Sequence, residues 1–184
     1  DIKECLRFNI YGYEGAFSGA HCDVLSGTWV HPIFGIKRWY WIHPKDMTER
    51  DWKDLSRDAH DWLPRRNIVR AITLRPGQTF VMPPGHLIVH AVQTIEPSAM
   101  VGGMFWDSAC VVKQVKCLEH ILRCPNISNE PSPIDLGDVL DELVALIREK
   151  MPQVLPELQQ EIKAVRKMRC DCRVCGESCP CSQN

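Results

Sequence analysis

The feature that most constrains the fold is a series of short strand-like runs, divided by glycine and proline turns, between residues 6 and 110. Two runs, 28–34 and 37–43, are broken at Gly35, and three more follow within residues 67–95. Tryptophans lie in the first two runs, where their flat rings pack well on a pleated surface. Short strands at this spacing predict a mainly β chain with a jelly-roll or barrel architecture.

The hydrophobic period changes to that of a helix from about residue 134 onward. One amphipathic stripe ends before Pro152 and a second follows it. Their apolar residues are Leu136, Val139, Leu140, Leu143, Val144, Ile147 and Met151, then Leu155, Leu158, Ile162, Val165 and Met168. Such stripes predict two helices that pack on the barrel or on each other. The polar segment before Pro64 is compatible with a further short helix.

These patterns divide the chain into three parts. Residues 1–125 form the predicted β domain, residues 126–169 the helical segment, and residues 170–184 a cysteine-rich tail. The formal net charge of -1 offers no basic field for nucleic acid. No apolar run approaches the ~18 residues that a membrane span requires. We therefore expect neither a nucleic-acid nor a membrane partner, and the sequence leaves the oligomeric state open.

The cysteines are unevenly distributed along the chain. Of the ten, five crowd into the tail: Cys170, Cys172, Cys175, Cys179 and Cys181. A secreted disulfide scaffold would spread its cysteines more evenly, so the crowding favours an intracellular protein with a metal-binding tail. Short spacings let several sulfurs converge on one ion, for which tetrahedral zinc is the usual choice. The alternative is a tail that holds no metal and is prone to oxidation.

A histidine and an aspartate two positions apart, His21 and Asp23, raise the question of a second metal site. Residues i and i+2 of an extended segment point the same way, so both side chains can face one interior. Two histidines and one carboxylate on one face of the ion are typical of non-haem Fe(II) oxygenases. The pair alone is weak, so the hypothesis depends on a further histidine from a later strand.

The segment PPGHLIVHAV contains both candidates for the third ligand. His86 and His90 share a strand parity but would lie ~13 Å apart, so one ion cannot bind both. His86 directly follows a turn, which favours a position at the rim. His90 lies in an apolar run, where an imidazole needs a polar partner or a metal. We favour His90 as the ligand, and the alternative is a core histidine bonded to a carbonyl.

Two longer stretches, SGAHCDVLSGTWVHPIFGIKRWYW and LRPGQTFVMPPGHLIVHAVQTIEPSAMVGGMFWD, carry a set of motifs in a fixed order. The set consists of H-x-D, G-x-K before an aromatic strand, L-x-P-G-x-x-x-x-x-P-x-G, H-A-V and G-G-x-F. In this set, residues 6–125 resemble the JmjC domain of Fe(II)- and 2-oxoglutarate-dependent oxygenases, particularly the fungal-type members. The resemblance implies a double-stranded β-helix, a jelly-roll or cupin-like barrel, followed by C-terminal α-helices and the Cys-rich tail.

The resemblance also implies a ligand set and a cosubstrate site. In the family the second histidine directly precedes Ala-Val, a register that His90 fits and His86 does not. The residues expected to hold Fe(II) are therefore His21, Asp23 and His90. The lysine of G-x-K pairs in the family with the distal carboxylate of 2-oxoglutarate. The residues expected to bind that cosubstrate are Lys37, Ser18 and Thr28.

The function that the resemblance implies is that of a 2-oxoglutarate-dependent dioxygenase acting on a protein or peptide. Histone lysine demethylation and protein hydroxylation are both compatible with it. A histone tail as substrate and a nuclear location follow from the resemblance alone. Iron and 2-oxoglutarate would serve the β domain, and zinc would belong to the tail.

Two other interpretations stay open. Val30 and Met104 stand where many JmjC proteins carry polar residues, which favours a non-catalytic JmjC-like module that binds chromatin or another protein. The other is a metal-binding cupin with a different small substrate. The family's fold has further strands before the H-x-D strand, so we expect a native N-terminal region beyond this sequence or a reduced barrel.

Overall fold

The structure is a computed structural model that describes residues 1–170. Its strands are β1 (Phe8–Gly12), β2 (Phe17–His21), β3 (Thr28–Ile42), β4 (Val69–Leu74), β5 (Phe80–Met82) and β6 (His90–Met104). Its α-helices are α1 (Ile2–Leu6), α2 (Glu49–Asp58), α3 (Val111–Arg123), α4 (Leu136–Lys150) and α5 (Leu155–Cys170).

Two long antiparallel strands, β3 and β6, form the centre of one six-stranded sheet. Their pairing runs from Thr28 opposite Met104 to Trp41 opposite His90. The free side of β6 pairs with β1 and β2, and the free side of β3 pairs with β5 and β4. All these pairings are antiparallel. Each short strand flanks one half of the central ribbon.

The central ribbon is irregular near its middle, where the sequence predicted a break between two strands. The β3–β6 register shifts around Pro32, Phe34 and Ile36, and Gly35 adopts a positive φ of 75°. Irregularities of this kind bend a strand and increase its twist. They divide the sheet into a first section, β1, β5 and the adjoining halves of β3 and β6, and a second section, β2, β4 and the other halves.

The two sections face each other across a small apolar core. Val30, Met82 and Met100 of the first section pack against Trp39 and Val92 of the second. Among the described residues, no hydrogen-bonded pairing joins the β1 and β2 edge to the β4 and β5 edge. The predicted closed barrel is therefore corrected to an open sheet, because side-chain packing rather than edge pairing closes the interior. The mainly β fold class itself is confirmed.

The C-terminal helices build a second and larger core. Its fully buried residues include Val24 and Leu25 from the turn after β2, Leu118 of α3, Leu140 of α4 and Leu158 of α5. The two predicted helices are confirmed as α4 and α5, with Pro152 between them. The sequence patterns did not predict α3, which lies against α5.

Two further predictions concern the cysteine-rich tail and membrane spans. Cys172, Cys175, Cys179 and Cys181 lie outside the described residues, and Cys170 is the last residue of α5. The zinc tail therefore stays a prediction. Within residues 1–170, no helix is both long enough and apolar enough to cross a bilayer.

The bend in β3 leads to a stability prediction. A Cβ added at Gly35 would lie 2.1 Å from the Pro97 carbonyl oxygen, whereas one added at Gly77, also at positive φ, would meet nothing within 4 Å. We expect Gly35→Ala to lower the free energy of unfolding by about 2–5 kcal/mol, through strain and overpacking together. Gly77→Ala, the matched control, should cost only about 1 kcal/mol. Urea unfolding measures both, and equal losses would contradict the assigned bend.

Candidate metal centre

The structure brings His21, Asp23 and His90 together at the start of the second section. His21 ends β2 and lies directly opposite His90, the first residue of β6. Their ring centroids are 4.2 Å apart, and His90 Nε2 lies 3.5 Å from Asp23 Oδ1. One ligand atom from each residue lies within 4.8 Å of the other two. The three side chains can therefore converge on one ion.

Backbone carbonyls set the orientation of both imidazoles. The Nδ1 atom of His21 lies 2.7 Å from the Gly19 oxygen, and that of His90 lies 3.0 Å from the Ile88 oxygen. A carbonyl oxygen can only accept, so each Nδ1 carries the proton and donates it. In a neutral ring, Nε2 then keeps a lone pair that can bind a metal. Most metal-binding histidines likewise donate their other ring N–H to a carbonyl, a carboxylate or water.

The carboxylate of Asp23 is fixed from the opposite side. Thr28 Oγ1 donates to Asp23 Oδ2 at 2.5 Å, which leaves Oδ1 directed at His90. Thr28 was predicted to bind the cosubstrate, but its hydroxyl is used here to orient a ligand. Both histidines are buried, at 5% and 3% relative exposure. Two imidazole nitrogens and one carboxylate form a ligand set that suits a divalent transition metal.

The cluster opens onto a polar cavity of about 260 Å³ between the two sections. Ser18, Lys37 and Thr28 line it together with the triad, as does Val30. This cavity holds the predicted cosubstrate residues in one place. Met104 is buried in the larger core and is not part of the cavity wall.

Lys37 lies in this cavity with no acidic partner. It is buried at 6% exposure, and its Nζ donates to Thr94 Oγ1 at 2.9 Å. Within the described chain, no carboxylate lies within ion-pair distance of it. Burial lowers the pKa of Lys37, because a buried ammonium without a counter-charge is less favourable than one in water. An anionic ligand would remove that cost.

His86 takes no part in the cluster. It is exposed and lies in the turn before β6. A larger cavity of about 370 Å³ lies on the outer face of the second section, and it is lined mainly by apolar groups such as Tyr40, Trp41 and Trp62. His90 borders both cavities, but its Nε2 belongs to the polar one. The chemistry therefore belongs to the smaller cavity.

Two residues of the polar cavity were missed at the level of sequence. Trp39 stacks on His90 with ring centroids 5.4 Å apart, and its buried Nε1 has no hydrogen-bond partner among residues 1–170. Its position two residues after Lys37 was a usable signal, because i and i+2 share a strand face. Glu130 reaches the cavity from the loop after α3. No local pattern predicts that approach, since it depends on how α3 packs.

The comparisons with known proteins give distant similarities. No protein-family model matches the chain. It is similar to "KK-1 biosynthesis cluster protein D" from Curvularia clavata, with 28% identity over 149 residues, which cover 81% of this chain but only 15% of that protein. The predicted JmjC resemblance therefore stays a prediction.

Similarity to solved structures is weak and partial. Hydroquinone 1,2-dioxygenase from Sphingomonas sp. TTNP3 aligns with a TM-score of 0.39 and 16% identity, over 55% of this chain and 59% of that one. Oxalate decarboxylase from Bacillus subtilis gives 0.38 and 13%, over 56% and 22%. Scores at this level do not establish a family, so the site has to be judged on its own geometry.

The buried cluster predicts a pH-dependent stability for the metal-free protein. Burial, followed by the proximity of His90, lowers the pKa of His21 from 6.5 to about 4. Between these values the unfolded chain binds the proton and the folded chain does not, so stability falls as the pH falls. The loss is at most on the order of 3 kcal/mol. Urea unfolding in the presence of a chelator measures it.

The variant His21→Gln isolates this effect because it keeps a polar side chain that does not titrate. Its stability should change much less with pH over the same interval. The control His86→Gln, at an exposed position, should keep the pH dependence of the wild type. An identical pH profile for His21→Gln and the wild type would show that His21 is not buried as described.

Proposed function

We propose that this chain is a metal-dependent oxygenase that holds Fe(II) on His21, Asp23 and His90 and binds 2-oxoglutarate beside it. The observation that carries this proposal is the buried, unpaired ammonium of Lys37 in the same cavity as the triad. A dicarboxylate can satisfy both ends of such a cavity, with one carboxylate at the metal and the other on the lysine. Neither residue set alone would favour this ligand.

The chain's own groups divide the work of binding and orientation. Fe(II) with 2-oxoglutarate supplies oxidative chemistry on dioxygen that side chains alone cannot perform. Thr28 holds the Asp23 carboxylate, and the carbonyls of Gly19 and Ile88 hold the two imidazoles. The Trp39 ring covers one face of His90 and limits the access of water to it. These contacts preorganise the site before any ligand binds.

The substrate we propose is a protein or peptide, with a lysine side chain of a histone tail as the specific case in a nuclear protein. This part rests on the JmjC resemblance of the motifs between residues 6 and 125. Oxidation of an N-methyl carbon would lead to demethylation with release of formaldehyde, whereas oxidation of any other carbon would give a stable hydroxylated product. Detection of formaldehyde separates the two outcomes.

A second candidate function follows from the relative in Curvularia clavata, whose name places it in a biosynthesis cluster. Under this alternative, the same centre oxidises a small molecule or a short peptide. The apolar cavity on the outer face of the second section favours neither candidate. Both candidates share an oxygenase that consumes 2-oxoglutarate, which is tested by succinate production that depends on added 2-oxoglutarate. If no succinate forms with iron bound, the non-catalytic module would be favoured.

Metal binding should depend on one of the two neighbouring histidines and not on the other. We expect His90→Ala to abolish binding of Mn(II), used as a redox-stable probe, because two remaining ligands seldom retain a labile divalent ion. His86→Ala should bind Mn(II) like the wild type, since His86 is exposed and outside the cluster. Free Mn(II) is measured by electron paramagnetic resonance. The reverse result would move the site to His86.

The binding of 2-oxoglutarate should depend on Lys37. We expect Lys37→Ala to weaken 2-oxoglutarate binding to the Mn(II)-loaded protein by about tenfold or more, because a charge-assisted hydrogen bond contributes about 1.5–3 kcal/mol. Mn(II) affinity should not change. The control Lys163→Ala removes an exposed lysine of α5. Calorimetry measures the affinities, and an unchanged 2-oxoglutarate affinity in Lys37→Ala would argue against the oxygenase proposal.

A further inference from the structure

Glu130 is a cavity residue that the proposed chemistry does not use. The loop that carries it is firmly held: Ile127 is completely buried, and its carbonyl oxygen accepts the Cys22 backbone N–H at 2.7 Å. This contact ties the loop to the residue between the two ligands of H-x-D. Glu130 then lines the polar cavity together with Asn129 and the triad.

The carboxyl of Glu130 is not fully satisfied by the protein. The Val24 backbone N–H lies near it. Its Oε2 is buried and has no hydrogen-bond partner among the described residues. A buried acceptor without a partner is destabilising, so the native sequence gains nothing in stability from this placement. A ligand group that donates a hydrogen bond would satisfy it.

The charges around the cavity restrict what that ligand group can be. Burial, followed by the nearby charge of Asp23, raises the pKa of Glu130 to about 7, so the carboxyl is charged above that pH. Lys37 shares the cavity but forms no ion pair with Glu130. The cavity therefore has a basic side at Lys37 and an acidic side at Glu130. An anion is drawn to the first and repelled from the second.

We propose that Glu130 is a specificity-determining residue that selects a substrate group with N–H donors, above all a protonated alkylamine. The proposal rests on the proposed function only in placing that group next to a metal on the triad. Carboxylate groups are directed to Lys37 and excluded from the Glu130 side. The residue binds substrate and leaves the ligand set of the metal unchanged.

The test compares two small probes of equal length, n-butylamine and 1-butanol, on the full chain loaded with Mn(II). At about pH 8 the amine is protonated, because its pKa is close to the value of about 10.4 for lysine. Mn(II) enhances the relaxation of nearby protons, so probe NMR reports both affinity and proximity to the triad. The wild type should bind the amine about tenfold more tightly than the alcohol, as expected for a charged hydrogen bond.

The variant Glu130→Gln keeps the shape of the side chain and one acceptor oxygen but removes the charge. It should bind both probes within about twofold of each other, with Mn(II) affinity unchanged. The control Glu142→Gln makes the same change at an exposed site on α4 and should keep the preference for the amine. Thermal unfolding verifies that both variants are folded.

Three results would overturn the proposal. They are a wild type without preference for the amine, a preference that survives in Glu130→Gln, and a loss of Mn(II) affinity in that variant, which would make Glu130 a metal ligand. Failure of the proposed function looks different, because either Mn(II) would not bind the wild type or no succinate would form from 2-oxoglutarate with iron bound. In that case line broadening of the probes on the metal-free chain still decides whether Glu130 selects the amine.

Discussion

The antiparallel pairing of β3 with β6 is the interaction on which the rest of the structure depends. Strand β3 carries Lys37 and Trp39, and β6 carries His90 and Thr94. Their register places Lys37 opposite Thr94. The bend at Gly35 folds the ribbon over itself, so the first section becomes the opposite wall of the cavity. Without the bend, the same residues would line a flat sheet exposed to water.

The polar cavity contains buried polar groups that are not fully paired within the protein, which is unusual for a protein interior. Buried polar groups are normally paired within the protein, and each exception calls for an explanation. Here the ammonium of Lys37 has a hydrogen bond to Thr94 but no counter-charge, and the indole nitrogen of Trp39 and one oxygen of Glu130 have no hydrogen-bond partner among the described residues. Their concentration around three convergent ligand atoms is better explained by binding than by folding. Stability comes instead from the larger core under the helices.

Sequence patterns predicted the parts of this protein that depend on local periodicity. Helical stripes predicted α4 and α5, and strand parity predicted that His21 and Asp23 face one interior, although β2 ends at His21. The ladder that joins β2 to β6, by contrast, is a long-range pairing that no window of residues contains. The sequence also left open whether the barrel is complete, since barrel closure depends on whether distant strands reach each other. For the same reason, the contribution of Glu130 could not be anticipated.

Strand alternation also separates two surfaces that the chain can use differently. Along β6, the residues His90, Val92 and Thr94 are buried on the inner side, while Ala91 and Gln93 face the outer, apolar cavity. The outer side is tied together by its own contact, in which the Tyr40 hydroxyl donates to Gln93 Oε1 at 3.0 Å. Because the two faces share only the backbone and His90, their ligands can differ in polarity. A charged group at the inner face and an apolar group at the outer face are therefore compatible in one protein.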